Sequence, residues 1–173
     1  MVKISMVRIL LFVLFLSTQV IAQEEWEINQ IDDSIFVEKH GEVTWGDKIR
    51  FRMVKDNCDV IEHLFTFYTT TNHQDIISLK GKVIPVMNND YKVGAEILFV
   101  TPFLLGHSVW FSLGHYRVDE HVDFLTTLDP FSITIIDYEN FVAKDFFDIS
   151  ENSWKLTDIK SAMKKGQENC LEL

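Results

Sequence analysis

Proline, glycine and cysteine are scarce in this chain: three, seven and two of 173 residues. There is no linker rich in Pro, Gly or Ser, no low-complexity tract and no internal repeat, so the chain reads as a single domain. A Gly-rich phosphate loop, a dinucleotide fingerprint and an H-E-x-x-H helix are all missing, which leaves nucleotide and zinc-protease chemistry without a basis. No N-x-[ST] triplet occurs, so there is no N-glycosylation acceptor, which favours a bacterial periplasm over a eukaryotic secretory route. Basic residues are in deficit, 16 against 26 acids, for a formal charge of −10. A field of that sign repels the phosphate backbone and excludes generic nucleic-acid binding. Apolar side chains, by contrast, are plentiful. They make up 47% of the chain and include 14 Phe, so the acidity is not that of a disordered segment and a real core can form.

The first residues have the layout of a signal peptide. Lys3 and Arg8 precede an apolar stretch from Ile9 to Leu16, and the small residues Val20 and Ala22 follow. Cleavage between Ala22 and Gln23 leaves 151 residues; with Lys3 and Arg8 lost and every acid kept, the charge becomes −12. The apolar stretch is shorter than the ~20 residues a spanning helix needs, and the acids Glu24, Glu25 and Glu27 follow at once. Gln23 is not the cysteine of a lipid-anchored protein. The sequence therefore predicts a periplasmic or secreted protein with no transmembrane anchor after cleavage. One later stretch, Ile97 to Gly114, is free of Asp, Glu, Lys and Arg for 18 residues. Pro102, Gly106 and His107 interrupt it, and its Val, Phe and Trp content predicts two buried strands joined through Pro102–Gly106.

Period-two alternation dominates the rest. Lys48-Ile49-Arg50-Phe51-Arg52-Met53 places Ile, Phe and Met on one face and the cations on the other. Further strands are predicted over His63–Thr70, Ile76–Val86, Val93–Val100, Ser108–Val118 and Phe131–Tyr138. Asn88-Asn89-Asp90 reads as a hairpin turn, because Asn and Asp tolerate positive φ. Strands at this spacing imply an antiparallel β-sandwich or barrel-like domain over 23–173. The period then changes. Ile159, Ala162, Met163, Gly166 and Cys170 form one stripe of a C-terminal α-helix, with Thr157 as its expected cap and Lys164 and Lys165 toward its carboxyl end. Two cysteines in an exported chain, without C-x-x-C, predict a disulfide between Cys58 and Cys170.

Candidate chemistry is sparse. Gly106-His107-Ser108-Val109-Trp110 resembles a nucleophile elbow until its last position, where a bulky indole replaces the glycine; Ser108 is therefore expected in a strand. His115-Tyr116-Arg117-Val118-Asp119-Glu120-His121-Val122-Asp123 is richer in ligand-type residues. Read as extended or loop backbone, it puts His121 and Asp123 on one side, and His115 can close on them if the segment bends back. These three are the candidate metal ligands, with zinc the ion in view, although no recognised ligand spacing is present. With Asp123 beside it, the His121 ring is expected to titrate above the ordinary ~6.5. His40, His63, His73 and His107 read as turn or strand-end residues. The acids Asp32-Asp33, Asp56, Asp59, Asp145, Asp148 and Glu151 lack calcium-loop spacing and read as solvated surface, with Phe146 and Phe147 anchoring their segment.

The composite expectation is an exported, acidic, β-rich binding or envelope-associated module without a required cofactor, its partner an unidentified protein or small molecule. Two rivals are kept: a small metal-assisted hydrolase using His115, His121 and Asp123, and a carrier of an apolar ligand in a barrel mouth. The first expectation is checked at the N-terminus. Mass analysis of the exported chain is expected to find Gln23 as its first residue, and Met1 retained in a membrane fraction would contradict this.

Overall fold

The computed structural model describes residues 25–44, 46–71 and 75–173. The expected leader and its cleavage site lie outside the described residues, as does His73. Nine strands form one antiparallel sheet: β1 (Glu27–Ile31), β2 (Ser34–His40), β3 (Lys48–Val54), β4 (Asn57–Thr69), β5 (Val83–Asn88), β6 (Tyr91–Phe103), β7 (Gly106–Arg117), β8 (Phe131–Ile135) and β9 (Glu151–Trp154). Their spatial order is β1-β2-β3-β4-β7-β6-β5-β8-β9, curled into a half-barrel. The β-rich fold with a C-terminal helix is as the sequence predicts, realised as one curled layer rather than two stacked ones. Register shifts between β3 and β4, between β4 and β7 at His63/Leu64, and between β6 and β7 help to bend it, because a bulge locally increases twist.

Alternation decides what the concave face holds. Val37 is opposite Phe51 and Phe51 opposite His63, while Ile49, Phe65, Phe111 and Ile97 face one another in turn across four strands. All of these side chains are buried. Phe65 and Phe111 stack with centroids 4.7 Å apart, and Phe67 meets both edge-on. The charge-free stretch is two strands, the long hairpin β6–β7 turning at Leu104-Leu105, but the expected burial fails in the turn half of β6, where Phe99 and Phe103 are exposed because β5 does not pair past Glu96. Three other hairpins turn in two residues, at Asp32-Asp33, Lys55-Asp56 and Asn89-Asp90. Asp32, Asp56 and Asn89 take the positive φ there, so several of the acids read as surface decoration are turn formers.

The helices depart from the sequence reading in two places. α1 spans Val118–Leu125, where extended or loop backbone was expected. Val118, Val122 and Leu125 recur at helical spacing and with His121 are its buried residues, and Asp119 and Glu120 sit in its first turn, where the dipole favours acids. α2 spans Ile159–Leu171 and buries the expected stripe, but Thr157 does not cap it. Asp158, at left-handed φ, is the boundary residue, and the first helical amide, that of Ile159, donates to the Leu156 carbonyl, so a backbone turn does the work of a side-chain cap. The expected strand over Ile76–Val86 is likewise divided: a 3-10 turn at Ile76–Leu79, then β5.

α2 packs on the concave face over β2, β3 and β4. Its approach is close because Gly166 has no side chain; a Cβ there would lie 2.4 Å from Val37 Cγ2. The Cys58–Cys170 disulfide forms as predicted and joins the start of β4 to the end of α2. Closing a loop of that size is worth roughly 4–5 kcal/mol on the chain-entropy account. The Gly166 contact makes a prediction of definite sign. Alanine is the better helix former by ~1 kcal/mol, yet Gly166→Ala is expected to lower the thermal midpoint by an amount corresponding to about 1–3 kcal/mol of overpacking. In a double-mutant cycle with Val37→Ala, the pair should cost less than the sum of the single changes; simple additivity would contradict the contact.

Candidate functional site

The two helices do not cover the whole concave face. Beyond α1 a cavity of about 700 Å³ opens among the turn end of β5–β6, the bulged part of β7, α1 and the start of β8. Val93, Leu113, Phe124 and Phe131 make much of its wall, with Tyr116, His63 and His121 on one side and Lys92 and Glu120 among the remaining residues. This volume lies within the roughly 300–1,000 Å³ range of small-molecule sites, and the lining has their usual make-up, apolar with a few polar groups.

Two imidazoles form the polar part. His63 sits mid-strand in β4, between Ile61 and Phe65 on the inward parity, and His121 lies on the buried side of α1. His63 Nδ1 and His121 Nε2 are 2.9 Å apart and share one hydrogen bond, one ring donating and the other accepting. His63 lies between the rings of Phe51 and Phe131, with centroids 4.7 and 5.0 Å away. Its Nε2 is buried without a partner among the described residues. The Tyr116 ring stacks on His121 at 4.1 Å, nearly parallel, and its hydroxyl donates to the Leu113 carbonyl. Burial pushes the His121 ring down to about 4. Burial, then the neighbouring His121, holds His63 well below the ordinary histidine range. Both rings are therefore neutral at pH 7, and the pair is a hydrogen-bonding feature in an apolar wall rather than a charged site.

This reverses the expected direction for His121. The carboxylate meant to raise it, Asp123, lies two residues on in a helix rather than a strand, and its Oδ1 accepts from Lys160 of α2 at 2.7 Å. His115 is in β7 opposite Glu62. Glu62 belongs to the convex face, where it meets Arg52 and accepts from Ser112. The three candidate ligands thus go to three places, and among the described residues no group of three His, Cys, Asp or Glu is gathered to hold a metal. The residue that the sequence reading passed over is His63, taken as a strand-end residue. The signal was present in Ile61, His63, Phe65 and Phe67, a period-two row in which the imidazole occupies a core position. Ser108 lies within β7, paired with Tyr68 and Thr101, as its strand pattern predicts.

The convex face concentrates the charge instead. Glu38 accepts from Lys48 and Arg50, and Arg50 also donates to Thr66 and lies 4.2 Å over the Trp110 ring. Burial alone would raise Glu38; the Lys48 and Arg50 partners outweigh it and hold the carboxyl below the usual value. Asp47 is fully buried, accepts from the Tyr68 amide and from Asn152, and is pushed up to about 6 by burial.

The imidazole pair has a pH signature. His121 moves from ~6.5 when unfolded to about 4 when folded, so between these values the unfolded chain binds more protons and stability falls as pH falls. The loss from this group is of order 3 kcal/mol and is complete near pH 4. Asp47, raised to about 6, acts oppositely, gaining stability as pH falls through the same window. A comparison separates the two. In denaturant titrations, the stability of His121→Leu relative to wild type is expected to rise as pH is lowered from 7 to 4, and a difference independent of pH would contradict a neutral buried His121.

Comparison of the chain with protein-family models, with curated proteins and with solved structures finds no match. What the cavity does is therefore argued from its own residues.

Proposed function

We propose that the chain is an exported binding module whose cavity holds a small, largely apolar ligand, the carrier reading of the three that the sequence allows. The observation that carries it is the cavity of about 700 Å³ walled by Val93, Leu113, Phe124 and Phe131 at the open end of the curled sheet. Filling such a space with apolar ligand surface is favourable at roughly 25 cal/mol per Å² removed from water. The exposed rings of Tyr116 and Phe124 suit a planar or ring-bearing body, because aromatic pairs add offset or edge-on attraction. His121 offers a neutral imidazole, so the polar group of the ligand is a hydroxyl, an amide or a similar uncharged function rather than an ion. Lys92, whose ammonium lies 5.1 Å over the Tyr138 ring, and Glu120 bring opposite charges to the site and give no net preference for ligand charge.

Export is supported by the leader pattern of residues 1–22 and by the disulfide, which suits an oxidising compartment. A binding role is supported by the chemistry at hand: a neutral imidazole pair, with no Ser, Thr or Cys and a single carboxylate, Glu120, among the cavity residues. The test is a titration with the fluorescent probe anilinonaphthalene sulfonate, whose emission rises in apolar sites. Wild type is expected to bind it with one saturable site, competed by neutral planar hydrocarbons bearing one hydroxyl. Val93→Trp, which fills the space, should fold with an unchanged far-UV spectrum and lose at least tenfold in affinity. Equal binding by wild type and Val93→Trp would place the ligand elsewhere.

A further inference from the structure

Four hairpins of this sheet turn in two residues, and one is built differently from the rest. Three place Asp32, Asp56 or Asn89 at positive φ, residue types that tolerate it; the β6–β7 hairpin places Leu104 there, at φ +49°. For a bulky aliphatic side chain this conformation is strained. Strain of this kind persists where the residue serves something other than stability. The same tip exposes what a water-facing turn avoids: Phe103, Leu104 and Leu105 are 55%, 83% and 93% accessible.

We propose that this tip inserts into the apolar boundary of a lipid bilayer with zwitterionic headgroups, which makes the protein a peripheral membrane binder in addition to any role of the cavity. The hairpin is built for such an approach. From Ile97 to Gly114 it carries no Asp, Glu, Lys or Arg, so the tip brings no charge of its own into the interface. Pairing of β6 with β5 ends at Val83–Glu96, so the turn half of β6 extends past that neighbour. Gly106, beside the turn, seats the tip, since a Cβ there would lie 2.0 Å from the Thr69 carbonyl oxygen, so the turn packs directly on the end of β4. About 13 Å behind the tip, four strand residues at ~3.3 Å each, Phe99 and Trp110 meet edge-on, with centroids 6.4 Å apart. The Lys80 ammonium lies 5.8 Å over the Phe99 ring. An aliphatic tip followed by an aromatic pair is the order in which a bilayer presents acyl chains and interface.

Area and charge select the occupant. A turn tip of three side chains presents far less than the ~800 Å² that each partner of a stable protein interface buries, whereas insertion needs only apolar depth of about 5–10 Å. The formal charge of −10 works against an anionic surface, so the headgroups are net neutral. Among the described residues no helix is long and apolar enough to cross a membrane, and the proposal needs none.

The test compares the exported wild-type chain, without residues 1–22, with its Leu104→Asn/Leu105→Gly variant on phosphatidylcholine vesicles. Asn-Gly is the pair most favoured in two-residue hairpins, so the variant is expected to melt no lower than wild type while its vesicle binding falls at least tenfold. A third chain, Leu105→Trp, reports the site of contact; its tip indole should be quenched by vesicles with brominated acyl chains. Wild type that fails to sediment with vesicles, or an Asn-Gly variant that sediments equally well, overturns the proposal. So does Leu105→Trp that sediments unquenched, since another part of the chain then holds it. A lipid-free dimer of wild type that the Asn-Gly variant lacks would assign the tip to a second copy and overturn it as well.

Discussion

A sheet that curls has a concave face to close against water, and here two helices of eight and thirteen residues share that task. They are too short to cover nine strands. α2 covers β2, β3 and β4, where Gly166 lets it sit close, and α1, beside it, covers β4 and β7. Where the cover ends, side chains must fill the space or leave it open. Phe65, Phe67, Phe111 and Phe147 fill it in the middle of the barrel, as interlocking rings. At the β5–β6 and β8 end the rings thin out, and the cavity is what remains. The candidate site is thus a consequence of how much helix the chain devotes to its inner face.

The same division sorts the polar groups. On the convex face long side chains pair laterally across strands: Glu38 with Lys48 and Arg50, and Glu62 with Arg52. On the concave face ionisable groups persist in neutral form, as His63 and His121 do. One hydrogen bond between two uncharged rings satisfies two nitrogens at once, which makes burial of the pair tolerable in an aromatic wall.

The fold was legible in the sequence wherever one period ran long enough. Ile49, Phe51 and Met53 in β3 and the Ile159–Cys170 stripe of α2 are such cases, and so is the disulfide between two lone cysteines. Three strands, β1, β2 and β9, were not read. β2 is inward-facing at Ile35 and Val37, but on its other face Glu38 is nearly as hidden under Lys48 and Arg50, which blurs the alternation. The site was less legible than the fold. Its histidines are 58 residues apart, and nothing local marks them as partners. Both also occupy apolar positions in their own elements, so the pattern that reveals a core conceals the imidazoles within it. In the segment from His115 to Asp123 charged residues crowd the sequence, while Val118, Val122 and Leu125 set the backbone as a helix and point His121 and Asp123 in different directions.

The bond between Cys58 and Cys170 encloses most of the chain, 112 residues apart in sequence. Lys55 reinforces the closure by donating to the carbonyl of Leu173. Topologically the described domain is a ring with a tail made of β1, β2 and β3. A protease that cuts once at any turn within the ring, including the Leu104-Leu105 turn, leaves the two pieces joined, with the ends of the cut held in the sheet by their flanking strands. Resistance to a single nick is thus built into the covalent connectivity, whereas a second cut within the ring leaves the segment between the cuts held by the sheet alone.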